Sequence, residues 1–121
     1  MMTVTVQRVY DAAQSPGGKR ILVDRVWPRG IKKEALHLDL WLREIAPSTA
    51  LRKWFGHDPK RWAEFQRRYR AELRRPEQQE RLHQLEALAR KGRITLLYGA
   101  RDTEHNEAEA LRRIIEASLK K

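Results

Sequence analysis

The stretch Arg20-Ile21-Leu22-Val23-Asp24-Arg25-Val26-Trp27-Pro28-Arg29-Gly30 is an apolar run that ends in charged and aromatic side chains. Its aliphatic residues, at positions 21, 22, 23 and 26, are typical of a strand that is buried on both faces. Pro28 cannot donate to a sheet and Gly30 lets the backbone turn, so the strand is expected to end here. In open α/β sheets, ligands bind beyond the carboxyl ends of the strands. The stretch therefore predicts a buried strand that leads into a functional site.

The composition predicts one folded domain over residues 1–121. The hydrophobic fraction is 40% and the charged fraction 35%, which indicates a packed core under a heavily charged surface. Lys and Arg number 26 against 16 Asp and Glu, a formal charge of +10. Such a surface attracts nucleic acid, phosphorylated metabolites and other anions, but it does not by itself choose among them.

Several classes of site are excluded by what the sequence lacks. The chain has no cysteine, so it forms no disulfide, thiolate metal site or cysteine nucleophile of its own. The first fifteen residues lack the apolar core of a signal peptide, and no run approaches the roughly 20 apolar residues that a membrane span needs. These features predict a soluble cytoplasmic protein with no membrane partner.

Alternating polar and apolar residues near the start predict a first strand over residues 3–9. A loop over residues 11–18, rich in Ser, Pro and Gly, separates it from the central strand. A loop of this length can close an antiparallel hairpin, or it can run back to give a parallel pair of strands. The sequence leaves both topologies open.

The rest of the chain alternates helical patterns with one further strand. Asp39 is placed to cap a helix over 40–46, and Ser48 or Thr49 to cap another that ends at Gly56. Three longer helices and the last strand follow, over residues 59–74, 77–91, 93–98 (the strand) and 103–119. The expected fold class is a small α/β domain, with about three largely parallel central strands covered by about five helices.

The helix over 59–74 carries two contrasting faces. Trp62, Phe65, Tyr69 and Leu73 recur at spacings of three and four, which is typical of a side packed on the core. The opposite side carries the arginines of the segment 61–75. An arginine-rich face is typical of a solvated helix surface, and it is also able to bind a nucleic-acid backbone.

Three segments together resemble one known family: Val23–Gly30, Ala46–Pro59 and Thr95–Asn106. The chain is similar to prokaryotic domain of unknown function 488, in its short YeaO-like branch, over nearly its whole length. The resemblance implies a compact α/β domain in which the strand ends gather the Asp24-Arg25 pair and the segment 101–106. Longer members carry a Cys-Glu pair and a Cys-His-Arg run, where this chain has Gly99-Ala100 and Asn106-Glu107-Ala108. A thiol-dependent role therefore does not transfer to this chain.

The first candidate cluster follows the central strand. Arg25 and Arg29 are candidate clamps for a phosphate or carboxylate, with Asp24 as an orienting group or a general base. The alternative is an internal ion pair that anchors the strand to a helix. Trp27 is a candidate for stacking on a ligand ring, although aromatic side chains mostly pack in the core.

The second candidate cluster lies where the last strand enters the last helix. Arg101, Asp102, His105 and Asn106 are candidate ligand-binding residues, and His105 can exchange a proton near neutral pH. The alternative is that Asp102 caps the helix and His105 faces solvent. If the two strands are neighbours, both clusters are expected to meet in one crevice. His57, just before a helix start, is a further candidate to line it.

The sequence predicts no metal site and identifies no cofactor. The pairs Glu34 with His37 and His83 with Glu86 have usable spacing but lack a third ligand. No nucleophile-base-orienter set or glycine-rich phosphate loop is present, so catalysis is left open, with Asp24 and His105 as its candidates. The favoured hypothesis is binding of an anionic small molecule at the strand ends. The rival hypothesis is nucleic-acid binding through the face at 61–75.

Overall fold

The computed structural model describes residues 3–11 and 18–120. Most of the loop expected over 11–18 lies outside the described residues. The strands are β1 (Val4–Arg8), β2 (Lys19–Leu22), β3 (Leu40–Trp41) and β4 (Ile94–Tyr98). The α-helices are α1 (Lys33–Leu36), α2 (Thr49–Phe55), α3 (Trp62–Leu73), α4 (Pro76–Lys91) and α5 (Glu107–Leu119). Single 3-10 turns lie at Arg43–Ile45 and Pro59–Arg61.

The strands form one parallel sheet in the order β1-β4-β2-β3. β4 lies between the first two strands, with Ile94 in register with both Val4 and Lys19. β1 and β2 are therefore parallel to each other, which excludes the hairpin. The predicted α/β class is confirmed, with four strands and five α-helices among the described residues.

β2 and the residue that follows it bury side chains on both faces of the sheet. Ile21 and Val23 pack into the main core with α2 to α5, while Leu22 packs on the other face with Leu36 and Leu97. Beyond Leu22 the chain stays beside β4 for one more residue, because the Val23 N–H donates to the Leu97 carbonyl. The prediction that Val26 belongs to the buried run was wrong, since its side chain is 61% exposed.

The prediction of a helix over residues 40–46 was also wrong. Asp39 does not cap a helix, because its Oδ2 accepts a hydrogen bond from the Arg20 N–H at 2.8 Å. Leu40 and Trp41 pair with β2, and the Leu42 N–H donates to the Leu22 carbonyl. The apolar spacing suited a helix, but the free edge of β2 offered this short segment a ladder of hydrogen bonds instead.

The predicted capping residues before α2 and α3 are confirmed. The Ser48 hydroxyl accepts from the Leu51 N–H at the start of α2, and Gly56 ends that helix with φ 54°. Asp58 accepts from the Lys60 N–H in the 3-10 turn that precedes α3. Such signals are reliable because the cap and the amides that it satisfies are neighbours in sequence.

The aromatic side of α3 packs as predicted. Phe65 stacks on Phe55 with ring centroids 4.4 Å apart, and Trp62 stacks on Phe65 at 5.7 Å. Tyr69 is fully buried and its hydroxyl donates to the Ile45 carbonyl at 2.5 Å. This stack holds α2 and α3 beside the carboxyl ends of β2 and β4, where the site residues lie.

Candidate functional site

A cavity of about 390 Å³ opens at the carboxyl ends of β2 and β4. It is lined by residues 24–29 after β2 and by 99–100 and 105–107 after β4. Its remaining walls are Tyr10, Ala46, Pro47, Arg52, Phe55, His57 and Phe65. The two predicted clusters therefore reach one cavity, because their strands are neighbours in the sheet.

Asp24 ties the ends of the two strands together. Its Oδ2 accepts the Gly99 N–H at 2.8 Å, and its carbonyl accepts the Trp41 indole N–H at 2.7 Å. A methyl group at position 99 would lie 3.1 Å from the same Oδ2, so glycine permits this close approach. The Asp24 carboxyl is thus fixed in place on the cavity wall.

The two arginines of the first cluster have different surroundings. The half-buried Arg25 guanidinium donates to the carbonyls of Ala46 (3.0 Å) and Pro47 (3.4 Å), which anchors the chain after β2 to the start of α2. Arg29 is exposed, and its carbonyl accepts the Tyr10 hydroxyl at 2.7 Å. Within the described chain no carboxylate lies within 4 Å of the Arg29 guanidinium.

The aromatic candidates are held by their own contacts. The Trp27 indole N–H donates to the Ile31 carbonyl at 2.7 Å, and its ring meets Trp41 edge to face with centroids 5.4 Å apart. Trp27 therefore presents a fixed ring to the cavity that it lines. His57 is exposed and has φ 58°, a left-handed conformation that turns the chain between α2 and the next 3-10 turn.

His105 reaches the cavity, whereas Arg101 and Asp102 are not among the lining residues. Nδ1 of His105 lies 2.9 Å from the Asp102 carboxylate, and its ring meets Trp62 edge to face. Burial opposes ionisation of Asp102, but hydrogen bonds from the Glu104 amide and from His105 outweigh it and lower its pKa. Asp102 thus orients the His105 imidazole from a position outside the cavity lining.

The last helix begins later than predicted, at Glu107, and Asp102 does not cap it. Asn106 is the cap: its Oδ1 accepts the Glu109 N–H and its Nδ2 donates to the Asp102 carbonyl, both at 2.9 Å. Only 2% of Asn106 is exposed. Asp102 instead accepts from the amides of Glu104 and His105 in the turn before the helix.

Comparison with known proteins places this architecture in a family. The model of the "Inactive DUF488-N3 subclade" matches residues 3–121. The chain belongs to the DUF488 family. It is 48% identical over 110 residues to the Uncharacterized protein YeaO of Escherichia coli strain K12, covering 91% of this chain and 94% of that protein. No solved structure matches it.

Mycobacterial relatives of this DUF488 domain are also similar. The Uncharacterized protein Rv3073c of Mycobacterium tuberculosis strain H37Rv is 41% identical over 92 residues. The matched part covers 76% of this chain and 70% of the relative. The Uncharacterized protein Mb3100c of Mycobacterium bovis has the same identity and coverage.

Two charged residues that line the cavity of the DUF488 domain were not predicted from the sequence. Arg52 lies exposed on α2 and lines the cavity, and no ion pair involves it in the described part of the chain. Glu107 lines the cavity from the first turn of α5 and hydrogen bonds with Asp24. The pKa of Glu107 is raised well above its usual value by withdrawal of its carboxyl from water, by the Asp24 charge and by that bond.

Neither a metal-binding group nor a membrane-spanning helix is found among the described residues. No group of three His, Asp or Glu side chains within residues 3–11 and 18–120 is arranged to hold a metal ion. None of the described helices has the length and apolar character needed to cross a bilayer.

We expect Asn106→Ala to lower the free energy of unfolding by about 2 kcal/mol, because it removes a helix cap and leaves buried polar groups unpaired. Asn106→Asp is the control, since it keeps an oxygen acceptor for the Glu109 N–H. Urea denaturation of both variants measures the effect. An equal loss of stability in the two variants would show that the hydrogen bond from the Asn106 side-chain amide to the Asp102 carbonyl, and not the helix cap, provides the stability.

Proposed function

We propose that the protein binds a small anionic ligand, carrying a phosphate or carboxylate, in the cavity at the ends of β2 and β4. The observation that carries the proposal is the presence of Arg25, Arg29 and Arg52 around one cavity of about 390 Å³. That volume falls in the usual range for small-molecule sites, about 300–1,000 Å³.

The charges around the cavity favour an anion. Three arginines line the cavity, against two acidic residues, Asp24 and Glu107. The cavity therefore has an excess of positive charge. Arg29 and Arg52 lack a carboxylate partner in the described chain, so both can bind a ligand without first breaking an ion pair.

We infer that the protein binds this ligand without converting it chemically. The family model that matches the chain describes its subclade as inactive. Arg25 also anchors the backbone of Ala46 and Pro47, so this arginine supports the shape of the site as well as its charge. In this proposal the protein is a binding protein for a small anion and does not catalyse a reaction of that anion.

Titration calorimetry with inorganic phosphate tests this function. We expect the Arg29→Ala/Arg52→Ala variant to bind phosphate at least about tenfold more weakly than the native chain, since each charge-assisted hydrogen bond contributes about 1.5–3 kcal/mol. The control is Arg70→Ala/Arg74→Ala, which removes the same charge from exposed positions of the α3 region. Equal weakening in both variants would indicate nonspecific attraction to a basic protein and overturn the proposal.

The rival function, nucleic-acid binding through the arginines of 61–75, has less support from the contacts. Glu64 hydrogen bonds with Arg67 and Arg68, which reduces the charge of that face. The guanidinium groups of Arg61 and Arg68 lie over the Trp54 ring, 5.3 and 4.1 Å from its centroid, where a base would stack. Weaker duplex binding in Arg70→Ala/Arg74→Ala, with Arg29→Ala/Arg52→Ala unchanged, would favour the rival.

A further inference from the structure

The carboxyl pair in the cavity is not needed for binding an anion. The carboxyl groups of Asp24 and Glu107 lie among the arginines, and carboxyl oxygens oppose a phosphate instead of attracting it. Both nevertheless line the cavity, and Asp24 is held rigidly there by the Gly99 N–H at 2.8 Å. Fixed acceptors of this kind select a second chemical group on the ligand.

The pair presents several hydrogen-bond acceptors. The side chain of Glu107 hydrogen bonds with the Asp24 carboxyl. Two carboxyl groups offer more lone pairs than this bond and the Gly99 amide use. The remaining acceptors can receive O–H or N–H donors from a ligand.

Arg52 favours a neutral hydroxyl donor over a charged ammonium donor at this position. Its positive charge is close enough to Glu107 to favour the ionised carboxylate. A ligand ammonium placed on the carboxyl pair would lie near this guanidinium and be repelled by it. A hydroxyl group carries no charge, so it bonds to the pair without that repulsion.

We propose, on the basis of the function proposed above, that the ligand carries neighbouring hydroxyl groups beside its anion, as in a phosphorylated polyol or sugar. Its phosphate contacts Arg29 and Arg52 at the mouth of the cavity, and its hydroxyls donate to Asp24 and Glu107 on the wall. The aromatic residues that line the same cavity, Trp27 and Phe55 among them, cover the carbon skeleton.

A matched pair of phosphate esters tests the inference. Glycerol 3-phosphate and propyl phosphate have the same anion and the same three-carbon length, but only the first carries hydroxyl groups. We expect the native chain to bind glycerol 3-phosphate about tenfold more tightly, as one or two hydrogen bonds to a charged acceptor provide. In Asp24→Asn and Glu107→Gln the ratio of the two affinities should fall to about twofold, because each amide replaces one carboxyl acceptor oxygen with an NH2 group that only donates.

The ratio of the two ester affinities reports on the hydroxyl contacts, whereas binding of either ester reports on the anion site of the proposed function. A purely structural role of the pair would weaken both esters alike and leave their ratio near tenfold in the variants, which would overturn the assignment of the hydroxyl contacts. Equal affinities of the native chain for the two esters would overturn the hydroxyl preference while the anion site stands. Tighter binding of phosphoethanolamine than of glycerol 3-phosphate would assign the pair to an ammonium instead. Binding of none of these compounds would overturn the proposed function itself.

Discussion

Replacing Gly18 by alanine is expected to lower the free energy of unfolding by about 3 kcal/mol or more, because it combines backbone strain with a backbone clash. Gly18 has φ 83°, a left-handed conformation that a residue with a side chain adopts at a cost. A Cβ atom there would lie 2.0 Å from the Arg93 carbonyl oxygen and 2.6 Å from its carbon. The clash involves the start of β4, which is central in the sheet.

The neighbouring hydrogen bond explains why the clash is not relieved easily. The Lys19 N–H donates to the Arg93 carbonyl at 3.1 Å, so moving Gly18 away also breaks the first contact between β2 and β4. Gly92→Ala is the matched control, because a Cβ atom there meets nothing within 4 Å and the backbone is extended. Chemical denaturation of the two variants should give a much lower midpoint for Gly18→Ala. Equal midpoints would contradict the prediction.

Elements whose signals are local were predictable from the sequence. The caps at Ser48 and Asp58 and the stop at Gly56 depend on atoms within a few residues of each other. The meeting of the two clusters was also predictable, because parallel neighbouring strands place their carboxyl ends at one edge of the sheet.

Features that depend on distant partners were not predictable. β3 exists because the edge of β2 is free to pair with it, and no pattern within residues 40–46 reveals that edge. Glu107 suits the first turn of a helix, where acidic residues are common for electrostatic reasons alone. Its pairing with Asp24 becomes visible only when β4 and the start of α5 are placed beside β2.

The carboxyl pair predicts that the native chain loses stability as the pH rises above the ordinary glutamate value of 4.5. The pKa of Glu107 is raised in the folded state, so between the two pKa values the folded chain binds a proton that the unfolded chain has released. The contribution of Glu107 to stability is then fully present below pH 4.5 and is lost as the pH rises through the raised value. Each unit of that rise corresponds to about 1.4 kcal/mol.

Glu107→Gln should reduce this loss, because the amide stays uncharged at every pH. The measurement is urea denaturation at several values between about pH 5 and pH 9. Glu77→Gln is the control, since it removes an exposed carboxylate from the first turn of α4 and should keep the native slope. Asp24→Asn should also flatten the curve, because removing the neighbouring negative charge lowers the pKa of Glu107 toward its usual value. A Glu107→Gln curve parallel to the native one would show that the pKa of Glu107 is not raised in the folded chain.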